Sequence, residues 1–87
     1  MAGNLDRLRV EFVEGISPEV LNQLLDDLHG EGVLNPGEKD HILEKYLIRA
    51  DRARALLDTV RKKGNTSIKI MMERLQTQDP ALYSRLM

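Results

Sequence analysis

The 87-residue sequence contains no cysteine. Disulfides, thiolate metal sites and a cysteine nucleophile are excluded together, and the chain suits a reducing compartment. Aromatic residues are almost as scarce, with Phe12, Tyr46 and Tyr83 the three in the chain. The core must therefore come from Leu, Ile, Val, Met and Ala, material better suited to helices packed on helices than to sheets. No apolar run approaches the roughly 20 residues needed to cross a bilayer, and the N-terminus lacks the basic-then-apolar order of a signal peptide. A soluble cytoplasmic domain with no membrane partner is expected. The two histidines, His29 and His41, have neither a paired nucleophile nor metal-ligand spacing around them. No catalytic residue, metal site or cofactor is expected. One further absence is local: from Val10 through Glu38 inclusive stand seven carboxylates and not one Lys or Arg.

At 41% hydrophobic and 31% charged residues, the composition is that of a folded chain rather than a disordered one, and the length suits one domain over 1–87. All three prolines follow a side chain able to cap a helix: Ser17-Pro18, Asn35-Pro36 and Asp79-Pro80. The capping oxygen accepts free N–H groups of the first turn, and proline at the next position loses no hydrogen bond there. Glu38, three residues after Asn35, completes a capping box. Gly15, Gly30, Gly32 and Gly64 fall where an apolar pattern stops. These marks and the 3.6-residue period predict six helices, over about 4–14, 18–29, 36–47, 50–63, 66–77 and 80–86. Their inward faces are Leu5, Leu8, Phe12 and Val13; Val20, Leu21, Leu24, Leu25 and Leu28; Ile42, Leu43, Tyr46 and Leu47; Ala50, Ala53, Leu57 and Val60, with Leu56 beside them; Ile68, Met71, Met72 and Leu75; and Leu82 and Leu86. Ile70 lies off its stripe and is expected near the surface. The short links between segments require a compact bundle.

Charge divides along the chain. Residues 1–44 hold ten acids and three bases, a net −7, whereas residues 45–87 hold four acids and ten bases, a net +6. The stretch RADRARALLDTVRKKG, residues 49–64, carries six bases and two acids in a chain of net charge −1. At about 100° per residue, Arg54 and Arg61 share an outward face of the fourth helix, and Arg52 and Lys63 form a ridge along its other flank. Asp51 and Asp58, at i−3 and i+4, are spaced to hold the Arg54 guanidinium. On the second helix, Glu19, Asn22 and Asp26 point away from the leucine stripe, with Asp27 at its edge. Two complementary patches at different places let one copy bind the next head to tail, and such contacts stay open unless the rotation closes them. Salt should weaken that association.

The segments LLDDL (24–28), VLN (33–35) and DRARALLDTVRKKG (51–64) resemble the caspase recruitment domain, or CARD. They are most similar to the version found in inflammatory caspases and their CARD-only relatives. Phe12-Val13 and Asn22 fit the same pattern. The likeness runs without a gap from about Arg9 to Gly64 and more loosely through the last two helices. It implies an all-α, six-helix antiparallel Greek-key bundle of the death-domain superfamily. It also implies a homotypic CARD–CARD module that recruits or nucleates caspase or inflammasome-type assemblies, with an adaptor, sensor or caspase as partner, and self-association into oligomers or filaments. In the family's commonest contact, acids of the second helix meet bases of the first and fourth. Here the matching positions are Asp26 and Asp27 on one side and Arg9, Arg52 and Arg54 on the other; helical geometry adds Glu19 and Arg61. Two departures stand out. Val10, Glu11 and Glu14 replace a denser basic cluster on the first helix, which shifts the basic face towards the fourth. Pro36 and Gly37 occupy positions where charged residues are common.

Other functions fit less well. Arg49, Arg52, Arg54, Arg61, Lys62 and Lys63 could sit on phosphates, but the acidic half repels the same polyanion, so no nucleic-acid partner is expected. The fourth helix is amphipathic, yet its alanines and leucines are needed for the core rather than a lipid surface. Within the resemblance two roles remain open, the recruiting prodomain of a caspase or sensor and a CARD-only decoy that caps such assemblies.

Overall fold

The computed structural model describes residues 2–87, with side chains described from Arg7 onward; the core place expected for Leu5 lies outside the described residues. Six helices follow in order: α1 (Ala2–Gly15), α2 (Pro18–Gly30), α3 (Pro36–Lys45), α4 (Arg49–Lys62), α5 (Asn65–Gln78) and α6 (Pro80–Leu86). The three proline-marked starts form as the sequence predicts. Ser17 Oγ accepts the Val20 N–H at 3.1 Å, and Asp79 Oδ1 accepts that of Leu82 at 3.0 Å. At α3 the box is reciprocal: Asn35 Oδ1 accepts from Glu38 N at 2.8 Å, and Glu38 Oε1 accepts from Asn35 N at 2.9 Å. The first residue of α5 follows Gly64, whose φ of +106° lies in the region that side chains avoid.

One boundary differs from the sequence reading. The third helix was expected to continue to residue 47 and bury Tyr46 and Leu47; it ends at Lys45, Tyr46 is half-buried, and Leu47 is 81% exposed. In a continuing helix the Leu43 carbonyl would accept the Leu47 N–H. Instead it accepts Nη2 of Arg52 at 2.8 Å, and the chain runs extended through Tyr46 to Ile48. Ile70, expected near the surface, is half-buried and packs on the core.

Helix α4 lies at the centre, touching α1, α2, α3 and α5; α2 also packs on α5, and α6 lies on α1 and α5. Helices distant in sequence are therefore neighbours, as the Greek-key path requires. The core is aliphatic apart from Phe12: Val13, Ile16, Leu21, Leu24, Leu25, Leu28, Leu34, Ile42, Leu56, Leu57, Val60, Met71, Leu75 and Leu82 are all buried, and no polar residue is buried with them among the described residues. Where α1 ends against α6, a Cβ on Gly15 would stand 2.5 Å from Leu82 Cδ1, so any larger residue there would force the buried Leu82 side chain to move.

Leu57, 1% exposed on α4, faces this core. Leu57→Ala is expected to lower stability by roughly 2–5 kcal/mol through the cavity it leaves, read as a shifted urea midpoint.

Candidate functional site

The leucine stripe of α2 turns its opposite face to solvent, and Glu19, Asn22, Gln23 and Asp26 are exposed there. The Asp26 side chain is 61% exposed, but its Oδ1 lies 2.6 Å from Nζ of Lys39 on α3. Asp27, at the edge of the stripe, is half-buried and accepts from Nε2 of Gln78 on α5 at 2.9 Å. Glu31, just past the helix end, pairs with Arg74 of α5. The acidic surface is thus pinned at its rim by α3 and α5.

A second surface forms where α1 crosses α4. Arg9, Val10, Val13, Glu14 and Arg54 line a groove there, with Val10 an apolar, exposed residue on α1. Arg54 Nη1 donates to Asp51 Oδ1 at 3.0 Å. Asp58, expected to share Arg54, instead accepts a two-pronged contact from Arg9, Nε to Oδ1 at 3.2 Å and Nη2 to Oδ2 at 3.0 Å. The packing of α1 on α4 brings that fork to Asp58, and a bidentate guanidinium outcompetes a single-pronged one. Arg61 is exposed further along α4, in a shallow hollow with Asp58 and Lys62. The structure thus brings Arg9 and Arg54 together and sets Arg61 apart from them.

The other flank of α4 differs from the exposed basic ridge expected of Arg52 and Lys63. Arg52 donates through Nε to the Tyr46 carbonyl and through Nη2 to that of Leu43, closing the C-terminal end of α3. Lys63 Nζ binds Glu38 Oε1 at 2.7 Å. The cause is that α3 packs along this flank, so cations there meet the helix's unsatisfied carbonyls and its capping carboxylate. Arg49 behaves likewise at the end of α1, donating Nη1 to the carbonyls of Val13 and, at 2.9 Å, of Ile16. Two of the six cations in the basic stretch therefore spend donors on backbone, which leaves fewer for phosphates.

Lys39 escaped the sequence reading because its partner Asp26 lies thirteen positions away on another helix, beyond any local spacing rule. Leu47, 81% exposed, escaped it because the α3 pattern was carried two residues too far, and Ile48, 65% exposed, falls in the link between α3 and α4 for which no face was assigned. Both histidines are at the surface, His41 edge-on to Tyr46 with ring centres 6.3 Å apart. Among the described residues no group of His, Cys, Asp or Glu is placed to hold a metal ion, and no helix is long and apolar enough to cross a membrane.

The sequence profile of the caspase recruitment domain matches residues 3–87. The chain belongs to the CARD family. It is 37% identical over 86 residues to Caspase-1-A of Xenopus laevis, a match covering 99% of this chain and 22% of that protein. It is 32% identical over 76 residues to NLR family CARD domain-containing protein 4 of Xenopus tropicalis, covering 87% of this chain and 8% of that protein. With Baculoviral IAP repeat-containing protein 3 of Canis lupus familiaris it shares 42% identity over 62 residues, covering 71% of this chain and 10% of that one. The chain thus spans about a fifth or less of the length of these relatives. No solved structure matches it significantly. A CARD is a homotypic interaction module and not a catalyst.

The inward and outward arginines of this CARD separate experimentally. Arg52→Ala strips charged donors from two carbonyls at the end of α3 and is expected to cost about 1–3 kcal/mol. Arg61→Ala, which removes an exposed cation, should stay within about 0.5 kcal/mol. Equilibrium urea denaturation of the two variants checks the difference. A pH test follows from Glu38, whose carboxyl is held below its ordinary value of 4.5 first by the Lys63 ammonium and then by the Asn35 N–H. A carboxyl lowered by folding stabilises the native state fully above 4.5 and loses that contribution as pH falls through the lowered folded value. Glu38→Gln is expected to reduce stability near neutrality and to flatten this part of the acid limb, measured as denaturation midpoint against pH.

Proposed function

We propose that this CARD binds another CARD by laying the acidic surface of α2 on one copy into the α1–α4 groove of the next. Glu19, Asp26 and Asp27 form the acidic side; Arg9 and Arg54 in the groove form the basic side, which Arg61 extends along α4 outside it. Arg52, expected on the same side, contributes its charge from behind, anchored on α3. The observation that carries the reading is that the two surfaces are not spent on each other within one molecule: Asp26 pairs with Lys39, whereas Arg54 pairs with Asp51. Both keep substantial exposure for an incoming partner.

The two surfaces differ, so the contact is heterologous and propagates into an open assembly unless its rotation closes. Such growth is what a recruiting or nucleating module in an inflammasome-type complex needs. An adaptor, sensor or caspase bearing its own CARD, in the cytoplasm, is the partner class this reading names. The likeness to Caspase-1-A and to NLR family CARD domain-containing protein 4 supports it.

Asp26→Arg or Arg54→Asp alone is expected to abolish self-association while leaving the helical circular dichroism spectrum unchanged, since both side chains face solvent. Mixing the two variants should restore pairing. Each exposed contact contributes only about 0.2–1 kcal/mol, but an assembly repeats the loss at every junction. Sizing and negative-stain imaging across a salt series read the outcome. Assembly by both single variants, or a mixture no better than its components, refutes the proposal.

A further inference from the structure

The acidic surface carries a cation that belongs to neither proposed face. Lys39, on α3, places its ammonium 2.6 Å from Oδ1 of Asp26, and its side chain is only 24% exposed. Any basic group of a partner that approaches Asp26 meets a carboxylate with one oxygen already engaged and an ammonium beside it. Building on the proposed contact between the two faces, we infer that Lys39 acts as a selectivity residue, admitting partners that present arginine to Asp26 and discriminating against those that present lysine.

The reason lies in the shapes of the two cations. A partner lysine offers one compact, strongly hydrated charge. If it joins Lys39 on Asp26, two ammonium groups crowd one carboxylate; if it displaces Lys39, one single-point contact replaces another and little is gained. A guanidinium presents a planar fork of donors that can take both carboxylate oxygens in two parallel hydrogen bonds. It therefore gains what Lys39 does not already supply. Its charge is also more weakly hydrated, so less is lost on leaving water. Arg54 suits this role, since its bond to Asp51 uses one terminal nitrogen and leaves other donors of the fork available. The acidic face of this CARD is thereby matched to basic faces like its own and biased against lysine-bearing ones of equal charge.

A double-mutant cycle across the interface tests this. An acidic-face copy is made with Arg54→Asp, which blocks its own basic face, and a basic-face copy with Asp26→Arg, which blocks its acidic face, so that the two form a single type of junction. Binding between them is measured by isothermal titration calorimetry with Arg54 of the basic-face copy native or carrying Arg54→Lys, and with Lys39 of the acidic-face copy native or carrying Lys39→Ala. With Lys39 present, Arg54→Lys is expected to weaken binding about ten-fold, and with Lys39→Ala only about two-fold, as befits one charge-assisted hydrogen bond gained or lost. Lys45→Ala on the acidic-face copy is the control. It removes the same charge from the same helix, but Lys45 lies over the Tyr46 ring rather than on Asp26, and it should leave the ten-fold preference intact. An equal loss for Arg54→Lys with and without Lys39, or the same narrowing from Lys45→Ala, overturns the assignment while the junction itself stands. Failure of the two blocked copies to bind at all removes the junction and the selectivity with it.

Discussion

Helix ends expose carbonyls that must find donors, and in this bundle two of those ends are closed by one neighbour. Arg49 and Arg52, a single turn apart at the start of α4, reach in different directions to the ends of α1 and α3. The remaining arrangement depends on this constraint. With α1 held along α4, Arg9 meets Asp58 and comes beside Arg54, which creates the basic groove. With α3 held on the other flank, Lys63 meets the capping carboxylate of Glu38. The same placement of α3 beside α2 sets Lys39 over Asp26. The aliphatic core supplies cohesion without direction; these charged contacts to backbone and carboxylate add directional ties between α4 and its neighbours.

The contrast between neighbouring cations on α4 shows what a charge pattern can and cannot mean. Arg52 and Arg54 are two residues apart, both basic, and both suggested by the same stretch of sequence. One is tied to the carbonyls of α3, and the other lines an open groove. Segregated charge along the chain therefore overstates the segregation on the surface, because cations on the α3 side of α4 are consumed internally. What remains at the α1–α4 crossing is smaller and mixed with an exposed valine and a glutamate. On the acidic side, Lys39, Gln78 and Arg74 each hold one of the carboxylates at or near the rim. Glu19 stays exposed at the start of the helix.

Much of the fold was legible in local chemistry. Three Asx or Ser caps before proline marked three helix starts, because capping oxygens and a fixed φ act within four residues. The leucine stripes of α2 and α4 named the buried residues for the same reason, the period being a property of one helix alone. Errors arose where a distant element decided. The end of α3 depends on Arg52, whose carbonyl partners lie six and nine positions back, and the fate of Asp58 depends on Arg9, 49 positions away. Helical angles place Glu19, Asp26, Arg54 and Arg61 outward, as the structure has them, but they do not give the pairing of charges, which is settled by which helices become neighbours and which draws Arg52 onto α3.

Gly64 carries a consequence for anyone mapping this CARD by substitution. It sits fully at the surface with nothing packed where a side chain would grow, yet its backbone torsion suits glycine alone. Replacement at this solvent-facing corner is thus strained for a reason of bond rotation and not of contact. Sensitivity at an outward position of this domain does not by itself mark a footprint; only reversal by a compensating change on the other molecule does.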